Sequence, residues 1–289
     1  MKVHNKKSNF QVTDYSVSKE KFQLEKHSEF EILETKPQPS LENLPAYYKS
    51  EDYISHTDTR RNLFEKAYHL VRSIALKSKL KLINASANSD KTLLDIGCGT
   101  GDFLQTALKD NWKVSGIEPN PDARKIANSK TDNAVFDTSQ LSKFESKSFN
   151  VISLWHVLEH LPDFNEQLAI YKTLLKDSGT LVIAVPNHKS YDAEYYQSFW
   201  AAYDVPRHLW HFSQNGMSQL LAKHGFKVVE TKPMKFDAYY VSLLSEKYKS
   251  GNMNYLKAFW TGFKSNLAAK RSGEYSSLIY VIKKDRNAI

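Results

Sequence analysis

The segment LLDIGCGTGDF, residues 93–103, has the residue types and spacing that most directly suggest chemistry. A predicted strand ends at Ile96 and is followed by three glycines, which are Gly97, Gly99 and Gly101. Glycines at such a turn let the backbone and a bound ligand approach each other closely. Asp102 stands where a dinucleotide fingerprint has its third glycine, and Asp95 adds a second carboxylate. The turn therefore favours a ligand with positive charge over a pyrophosphate, and a nicotinamide-dependent oxidoreductase stays as an alternative.

Two further acids follow the next two predicted strands. Glu118 ends the strand in GIEPN, where a carboxylate can accept hydrogen bonds from both hydroxyls of a ribose. Asp137 follows the short strand AVF, where it can accept a hydrogen bond from an adenine amino group. The alternative interpretation is an incidental glycine turn with solvated acids. The glycine turn and Glu118 together predict a nucleoside-binding site.

Polar residues after the fourth and fifth predicted strands are candidates for acid–base chemistry. They lie in loops at the carboxyl ends of strands, where doubly wound sheets bind their ligands. A histidine is the natural general base because it titrates near neutral pH. The candidate catalytic residues are His156, which follows the fourth strand, and Asp204, Arg207 and His211 in the segment DVPRHLWHF.

Each candidate also has a structural interpretation. A structural hydrogen bond explains His156 or His211 equally well, and it is the favoured interpretation for His160. Arg207 could orient a substrate carboxylate or phosphate, although an ion pair with Asp204 that fastens the loop is slightly favoured. Aromatic residues around the same loop either line an apolar substrate pocket or pack in the core. They are Tyr195, Tyr196, Phe199, Trp200 and Trp210.

The elements that must position these residues are short apolar runs that alternate with helical segments after Asp90. This alternation predicts repeated βα units and a doubly wound α/β domain with a mainly parallel sheet. The predicted strands are residues 92–96, 113–118, 133–136, 150–155 and 180–185. The predicted helices are residues 102–109, 121–129 and 163–176, the last of them ended by Ser178 and Gly179 as a C-cap.

Apolar spacing in other parts of the chain predicts further elements. An amphipathic helix is expected over residues 61–83, and Ser213 is expected to cap a helix that runs to His224. Strands are predicted at residues 226–231 and 277–282. The aromatic-rich stretch 237–272 between them is predicted to be helical.

The first part of the chain differs from the rest in composition. We interpret residues 1–45 as a loosely organised arm with short strands at residues 12–17 and 30–35. Prolines and polar residues up to Pro45 predict a boundary there. The main domain is accordingly expected over residues 46–289.

The composition limits the classes of protein to which this chain can belong. The chain has 289 residues, 41% of them apolar, and a formal net charge of +8. Its lysines are scattered and lack an interleaved aromatic pattern, so we expect no nucleic-acid partner. The single cysteine, Cys98, excludes an internal disulfide and a cysteine-based zinc site made by this chain alone. Without a signal-like apolar region or a run long enough to cross a bilayer, we expect a cytoplasmic protein with no transmembrane segment and no metal.

The motifs LLDIGCGTGDF, GIEPN, VFDTSQL and FNVISLWHVLEHLPD resemble, in order and spacing, those of class I S-adenosylmethionine methyltransferases. The resemblance covers about residues 46–289 and implies a seven-stranded sheet whose last strand is antiparallel. It implies that Glu118 holds the ribose of the cofactor and Asp137 its adenine. The methionine half would be lined by Gly97, Cys98, Gly99 and Gly101, with His156 beside it. Asp95, Pro119 and Trp155 complete the cofactor-binding set carried over from the family.

Three segments narrow the resemblance within the class. HVLEHL, DVPRHLWHFS and YYKSEDYISH look like a bacterial subgroup related to ubiquinone-type and sugar or natural-product methyltransferases. The family pattern implies that Tyr53 and His56 close over the cofactor. Members of that subgroup often begin with a zinc ribbon, whereas residues 14–39 here contain no cysteine. We therefore expect a ribbon-like remnant without metal.

The sequence thus predicts transfer of a methyl group from S-adenosylmethionine to a small-molecule acceptor, at oxygen. Such an in-line substitution requires alignment of the nucleophile and removal of its proton. One alternative is an RNA or protein methyltransferase, supported only by the basic charge. A second is a cofactor-binding module without catalysis, whose arm and C-terminal aromatic helix contact a partner. The acceptor and the oligomeric state are left open.

Overall fold

The structure is a computed structural model that describes residues 10–40, 42–48, 63–87 and 90–285, with residues 63–70 described by their backbone only. Contacts divide the chain into two compact units. The small-sheet unit comprises Met1–Asp58, Pro186–Gln219 and Met234–Ser277. The large-sheet unit comprises Thr59–Val185, Leu220–Pro233 and Leu278–Ile289.

A four-stranded sheet organises the small-sheet unit, in the order β1-β2-β3-β9. Its strands are β1 Phe10–Thr13, β2 Lys21–Lys26, β3 Leu33–Lys36 and β9 Trp210–His211, and each pairs antiparallel with its neighbour. Alternate side chains of the first two strands, including Val12, Phe22 and Leu24, are buried against a cluster that contains Tyr196 and Trp200. These two aromatic residues are therefore core residues of this unit.

The helices of the small-sheet unit lie in its later segments. They include α5 Tyr191–Tyr196, α7 Asp237–Ser250 and α8 Tyr255–Ser272. A fully buried carboxylate, Asp192 in α5, accepts hydrogen bonds from three side chains: Trp200 Nε1 at 2.8 Å, Ser265 Oγ at 2.6 Å and Ser276 Oγ at 2.7 Å. Because these donors come from separate segments of the chain, the hydrogen bonds of Asp192 hold those segments together in the interior of this unit.

A seven-stranded sheet organises the large-sheet unit, in the order β10-β11-β8-β7-β4-β5-β6. The strands are β4 Thr92–Ile96, β5 Lys113–Ile117, β6 Val135–Phe136, β7 Phe149–Trp155, β8 Leu175–Pro186, β10 Phe226–Pro233 and β11 Ser277–Lys284. Strands β6, β5, β4, β7 and β8 pair in parallel, whereas β10 and β11 pair antiparallel. This confirms the predicted doubly wound, mostly parallel sheet with an antiparallel final strand.

Helices connect the strands of this sheet. They are α1 Leu63–Ser86, α2 Asp102–Leu108, α3 Pro121–Thr131, α4 Phe164–Leu174 and α6 Gln214–Lys223, whose residues 214–219 belong to the small-sheet unit. The side chain of Asn120 caps α3, which has Pro121 in its first turn, and Asp163 caps α4 in the same way. None of the helices in the described part of the chain has the length and hydropathy needed to span a bilayer.

The central strands explain why the site can be rigid. Leu94, Ile152, Leu154 and Ile183 are all fully buried. A parallel strand covered on both faces is apolar along its whole length, and the polar residues gather where it ends. The carboxyl ends of β4, β5 and β7 therefore present the candidate residues from a fixed base.

Three sequence predictions need correction. The arm is more ordered than predicted, because residues 21–26 form the strand β2, which was not predicted from the sequence. The strand predicted at residues 12–17 ends at Thr13, where Asp14 accepts hydrogen bonds from Ser16 N and Ser18 N and starts a turn. Helix α4 ends at Leu174 rather than at residue 176, and Gly179 lies within β8 instead of forming a C-cap.

Candidate active site

The glycine turn between β4 and α2 has three left-handed glycines, at φ +65° for Gly97, +55° for Gly99 and +77° for Gly101. A Cβ at Gly97 would lie 2.6 Å from Val157 Cγ2, and one at Gly101 would lie 2.9 Å from Ala127 Cα. A Cβ at Gly99 would meet no described atom within 4 Å. Gly97 and Gly101 are thus required by the fold itself. Gly99 instead borders open space, which a bound ligand could occupy.

Glu118, at the end of β5, is fixed to this turn. Its Oε2 accepts a hydrogen bond from Gly99 N at 2.8 Å, and its Oε1 accepts one from Asn120 N at 2.9 Å. The residue is buried. Each carboxylate oxygen has a second acceptor position. The carboxylate is therefore held in one orientation and can still accept from two adjacent hydroxyls.

Asp95, at the end of β4, is a buried carboxylate that accepts a hydrogen bond from Ser153 Oγ at 2.6 Å. Burial raises the pKa of Asp95 to about 7, although the Ser153 hydroxyl and the positive charge of Lys79 oppose this rise. Lys79 Nζ lies 4.3 Å from the centroid of the Trp155 ring. A ligand cation beside Asp95 would favour its ionised form.

The thiol of Cys98 is influenced by the charges of Asp95 and Glu118. Burial raises the pKa of its thiol above the ordinary value, and the two carboxylates raise it further. The thiol is therefore protonated at neutral pH and is not a nucleophile. Its predicted role, to line the site, requires no ionisation.

Two other predicted cofactor residues lie at the surface of the large-sheet unit. Asp137 is exposed and caps a short 3-10 helix at Thr138–Lys143, accepting from Ser139 N at 2.8 Å. Hydrogen bonds from the Ser139 hydroxyl and from the Ser139 amide lower the pKa of Asp137, so it is a carboxylate at neutral pH. Pro119 is exposed, and its carbonyl oxygen accepts from Arg124 Nη1 at 3.2 Å. Contact of either residue with adenine stays a prediction.

Asp102 does not face a ligand, contrary to the prediction from the sequence. Its carboxylate pairs with Arg72 and with Lys130 Nζ, the latter at 2.9 Å, and accepts from Thr100 Oγ1 at 2.9 Å. Two protein cations therefore already balance its charge. Asp102 fastens α2 to neighbouring segments, and Asp95 is the better candidate to face a cationic ligand.

Trp155 and His156 end the strand β7. Trp155 packs edge-to-face against Phe103, and its buried Nε1 has no hydrogen-bond partner among the residues that the structure describes. His156 has a left-handed backbone at φ +57°, and its amide donates to Ala184 O at 2.9 Å. The following residue, Val157, packs against Gly97. His156 therefore directly precedes the residue that packs on the glycine turn.

The His156 imidazole is half-exposed and is paired with a buried acid. Its Nδ1 lies 3.4 Å from Oε1 of Glu159, whose side chain is fully buried. A nearby carboxylate favours the protonated form of an imidazole through its negative charge. The pair can therefore accept a proton from a group that approaches the exposed part of the ring.

The other three candidate catalytic residues belong to the small-sheet unit. Arg207 is buried, donates to Asp204 Oδ2 at 2.9 Å and to Tyr47 O at 2.9 Å, and lies 3.4 Å from Asp14. Burial opposes the charge of Arg207, but its hydrogen bond to Asp204 and the two carboxylates raise the pKa above its ordinary value. This geometry matches the structural interpretation of Arg207 and Asp204.

His211 is also buried in the small-sheet unit. Its Nε2 lies 2.9 Å from Thr35 Oγ1, and its ring packs edge-to-face against Tyr203. Burial lowers the pKa of His211 well below its ordinary value, and neighbouring histidines add to the effect. The ring is therefore neutral at physiological pH, and its role as a base stays a prediction.

The structure brings together Asp95, Gly97, Cys98, Gly99, Glu118, Trp155 and His156 in the large-sheet unit. Tyr53 and His56 lie outside the described residues. Three residues of this neighbourhood were not predicted from the sequence: Lys79, Ser153 and Glu159. The spacing of Glu159 three residues after His156 in HVLEHL was a usable signal, whereas nothing in the sequence linked Lys79 in α1 to the end of β4.

A family model described as "Methyltransferase domain" matches residues 65–231, more than half of the chain. The chain belongs to the class I S-adenosylmethionine-dependent methyltransferases. Its seven-stranded sheet is thus that of a methyltransferase domain, and S-adenosylmethionine is its cofactor.

Curated relatives of this methyltransferase domain share part of its length. An uncharacterized methyltransferase of Bacillus velezensis is 31% identical over 114 residues, covering 37% of this chain and 54% of that protein. A ubiquinone biosynthesis O-methyltransferase of Glaesserella parasuis is 30% identical over 135 residues, covering 42% of this chain and 56% of that protein. The chain therefore spans about half the length of the curated relatives that it matches.

Solved structures agree on the fold. A S-adenosylmethionine-dependent methyltransferase of Archaeoglobus fulgidus aligns with a TM-score of 0.51 and 19% identity, over 77% of this chain and all of that one. A geranyl diphosphate C-methyltransferase of Streptomyces coelicolor, solved with S-adenosylhomocysteine, aligns with a TM-score of 0.52 and 13% identity, over 79% and 88% of the two chains. At these identities the similarity establishes the fold alone.

Proposed function

We propose that this methyltransferase moves the methyl group of S-adenosylmethionine to an oxygen atom of a small-molecule acceptor. The observation that carries the proposal is the His156–Glu159 pair, which stands at the end of β7 beside the glycine turn. The ubiquinone biosynthesis O-methyltransferases among the relatives support oxygen as the acceptor atom.

Residues of the large-sheet unit fit the cofactor. The open space beside Gly99 accommodates its backbone, Glu118 is oriented to accept from the ribose hydroxyls, and Asp95 suits the positively charged methionine half. We assign the adenine to Asp137, which is ionised and exposed at the end of β6. When bound, the cofactor supplies the electrophilic methyl group.

The proton of the acceptor hydroxyl goes to His156 in this proposal. Alignment of the nucleophile with the methyl group provides most of the rate acceleration, and general-base catalysis contributes a further factor of about 10² to 10⁴. Glu159 acts as a positioning residue, because its carboxylate lies at Nδ1 and leaves the opposite side of the ring for the acceptor. Arg207, Asp204 and His211 are assigned structural roles in the small-sheet unit.

The test uses S-adenosylmethionine with a trideuterated methyl group and a panel of phenols, quinols and sugars, with mass spectrometry of the products. We expect a labelled methyl ether, and we expect His156→Gln to lower turnover about 10²- to 10⁴-fold with little change in affinity for S-adenosylhomocysteine. His224→Gln, a change of a histidine whose Nε2 lies 2.9 Å from Asn165 Oδ1, is the matched control. Labelled carbon or nitrogen, or full activity of His156→Gln, would contradict the proposal.

The same reaction distinguishes the alternative acceptors. Incubation with total RNA and with a peptide mixture tests the macromolecular methyltransferases, and binding to RNA should then weaken steeply with salt. The domain boundary near residue 45 and the cytoplasmic location remain predictions from the sequence.

A further inference from the structure

Helix α8 presents its large apolar side chains to the outside. Leu256 is 76% exposed and Trp260 is 56% exposed, and the same face carries Phe259, Phe263 and Leu267, which are also exposed. At about 100° per residue, these five positions lie within about 100° of the helix circumference. They form one continuous strip, which we call the α8 apolar strip.

The opposite face of α8 packs against its own unit through small residues. Those that are buried are Ala258, Thr261, Gly262, Ser265 and Ala269. At Gly262 the two helices of the α7–α8 pair approach so closely that a Cβ would lie 2.8 Å from Tyr239 Cδ1 and 2.9 Å from Tyr239 Cα. No large side chain fits in that interface, so the packing itself directs the aromatic residues outward.

Basic residues border the α8 apolar strip. Helix α8 contains no acidic residue, and its four basic residues, Lys257, Lys264, Lys270 and Arg271, are all exposed. The nearby acid Glu246 in α7 is buried and lies 3.4 Å from Lys257 Nζ. The exposed face is thus apolar in its centre and positive along one side and at its C-terminal end.

We propose that helix α8 lies in the surface of an anionic lipid bilayer, with the α8 apolar strip among the acyl chains and its lysines and Arg271 at the headgroups. An amphipathic helix with Trp, Phe and Leu on one face and basic residues beside it has the composition of an interfacial helix. Negative headgroups attract such basic residues. A second copy of the chain packed antiparallel on the strip would bring like charges together at the same margin, which disfavours it.

The probe is vesicles of phosphatidylglycerol and phosphatidylcholine in equal amounts, compared with vesicles of phosphatidylcholine alone. We expect the full chain to sediment with the anionic vesicles and bind the neutral ones at least tenfold more weakly. Trp260 reports the contact directly, because the other four tryptophans are buried or half-buried. Its emission should shift to shorter wavelength on binding, and Trp260→Phe should keep the binding and lose the shift.

Variants separate the two parts of the surface. Phe259→Ser with Phe263→Ser should lower partitioning at least tenfold on both vesicle types, whereas Ile126→Ser, an exposed apolar residue of α3, should not change it. Lys264→Glu with Arg271→Glu should lower binding only to anionic vesicles, by about fivefold or more per charge. Lys109→Glu with Lys125→Glu, exposed residues of the large-sheet unit, is the charge-matched control.

Several outcomes would overturn the proposal. One is equal binding by the strip variants and their controls, and another is absence of vesicle binding by a folded protein. Dimerisation in analytical ultracentrifugation that the Phe259→Ser, Phe263→Ser variant abolishes would assign the strip to a second copy. Binding to RNA lost in the same variants would assign it to nucleic acid. The result is independent of methyl transfer, since Gly99→Val should bind vesicles normally.

Discussion

The three glycines of the turn should respond differently to the same substitution. Gly99→Ala places its Cβ in open space, so its cost in folding is the left-handed backbone alone, about 1 kcal/mol in the free energy of unfolding. Gly101→Ala has the same backbone cost and also sets its Cβ 2.9 Å from Ala127 Cα. Such an overlap with a backbone atom adds about 1–3 kcal/mol.

The effects on the cofactor should follow the opposite order. The new methyl group of Gly99→Ala stands where the ligand backbone approaches, and an overlap of about 1–3 kcal/mol corresponds to a loss of affinity of about 5- to 150-fold. Gly99→Val, with more volume in the same space, should abolish binding. Gly101→Ala should bind more nearly as the wild type does as long as it is folded.

Calorimetric titration with S-adenosylhomocysteine and urea unfolding of the same preparations measure both quantities. Wild-type affinity in a folded Gly99→Ala variant would refute the assignment of the open space to the cofactor. Gly99→Ala that is less stable than Gly101→Ala would refute the packing argument for the two glycines.

Three further predictions concern acids. Glu118→Gln keeps the shape but lacks the charge and one acceptor, so affinity for S-adenosylhomocysteine should fall about tenfold or more by titration, with Glu145→Gln at the surface as control. The pKa of Asp95 is raised to about 7, and a cationic ligand prefers its ionised form. Affinity for S-adenosylmethionine should therefore increase about tenfold for each unit by which the pH is raised towards 7, and should level off above pH 7. Asp95→Asn should flatten that profile, and a profile unchanged in the variant would contradict the assignment. Asp192→Ala leaves three buried donors without an acceptor and should cost about 3–5 kcal/mol in urea unfolding, and a loss below 1 kcal/mol would contradict its joining role.

The sequence alone determined the fold and the cofactor turn because both depend on local patterns. The alternation of short apolar runs with helical segments predicted β4, β5, β7 and their helices closely, since a buried parallel strand must be apolar throughout. Gly97, Gly99 and Gly101 were recognisable because only a left-handed turn needs glycine at that spacing. Glu118 followed from its place at the end of the next strand.

Tertiary structure decided which charged groups are already partnered. The pairing of Asp102 with Arg72 and Lys130 joins residues from three separate elements, so no local pattern could reveal it. For the same reason, the contacts of Lys79 with Trp155 and of Arg207 with Asp14 could be seen only in the structure. Partner choice depends on distances between elements, and those distances exist only once the elements are packed together.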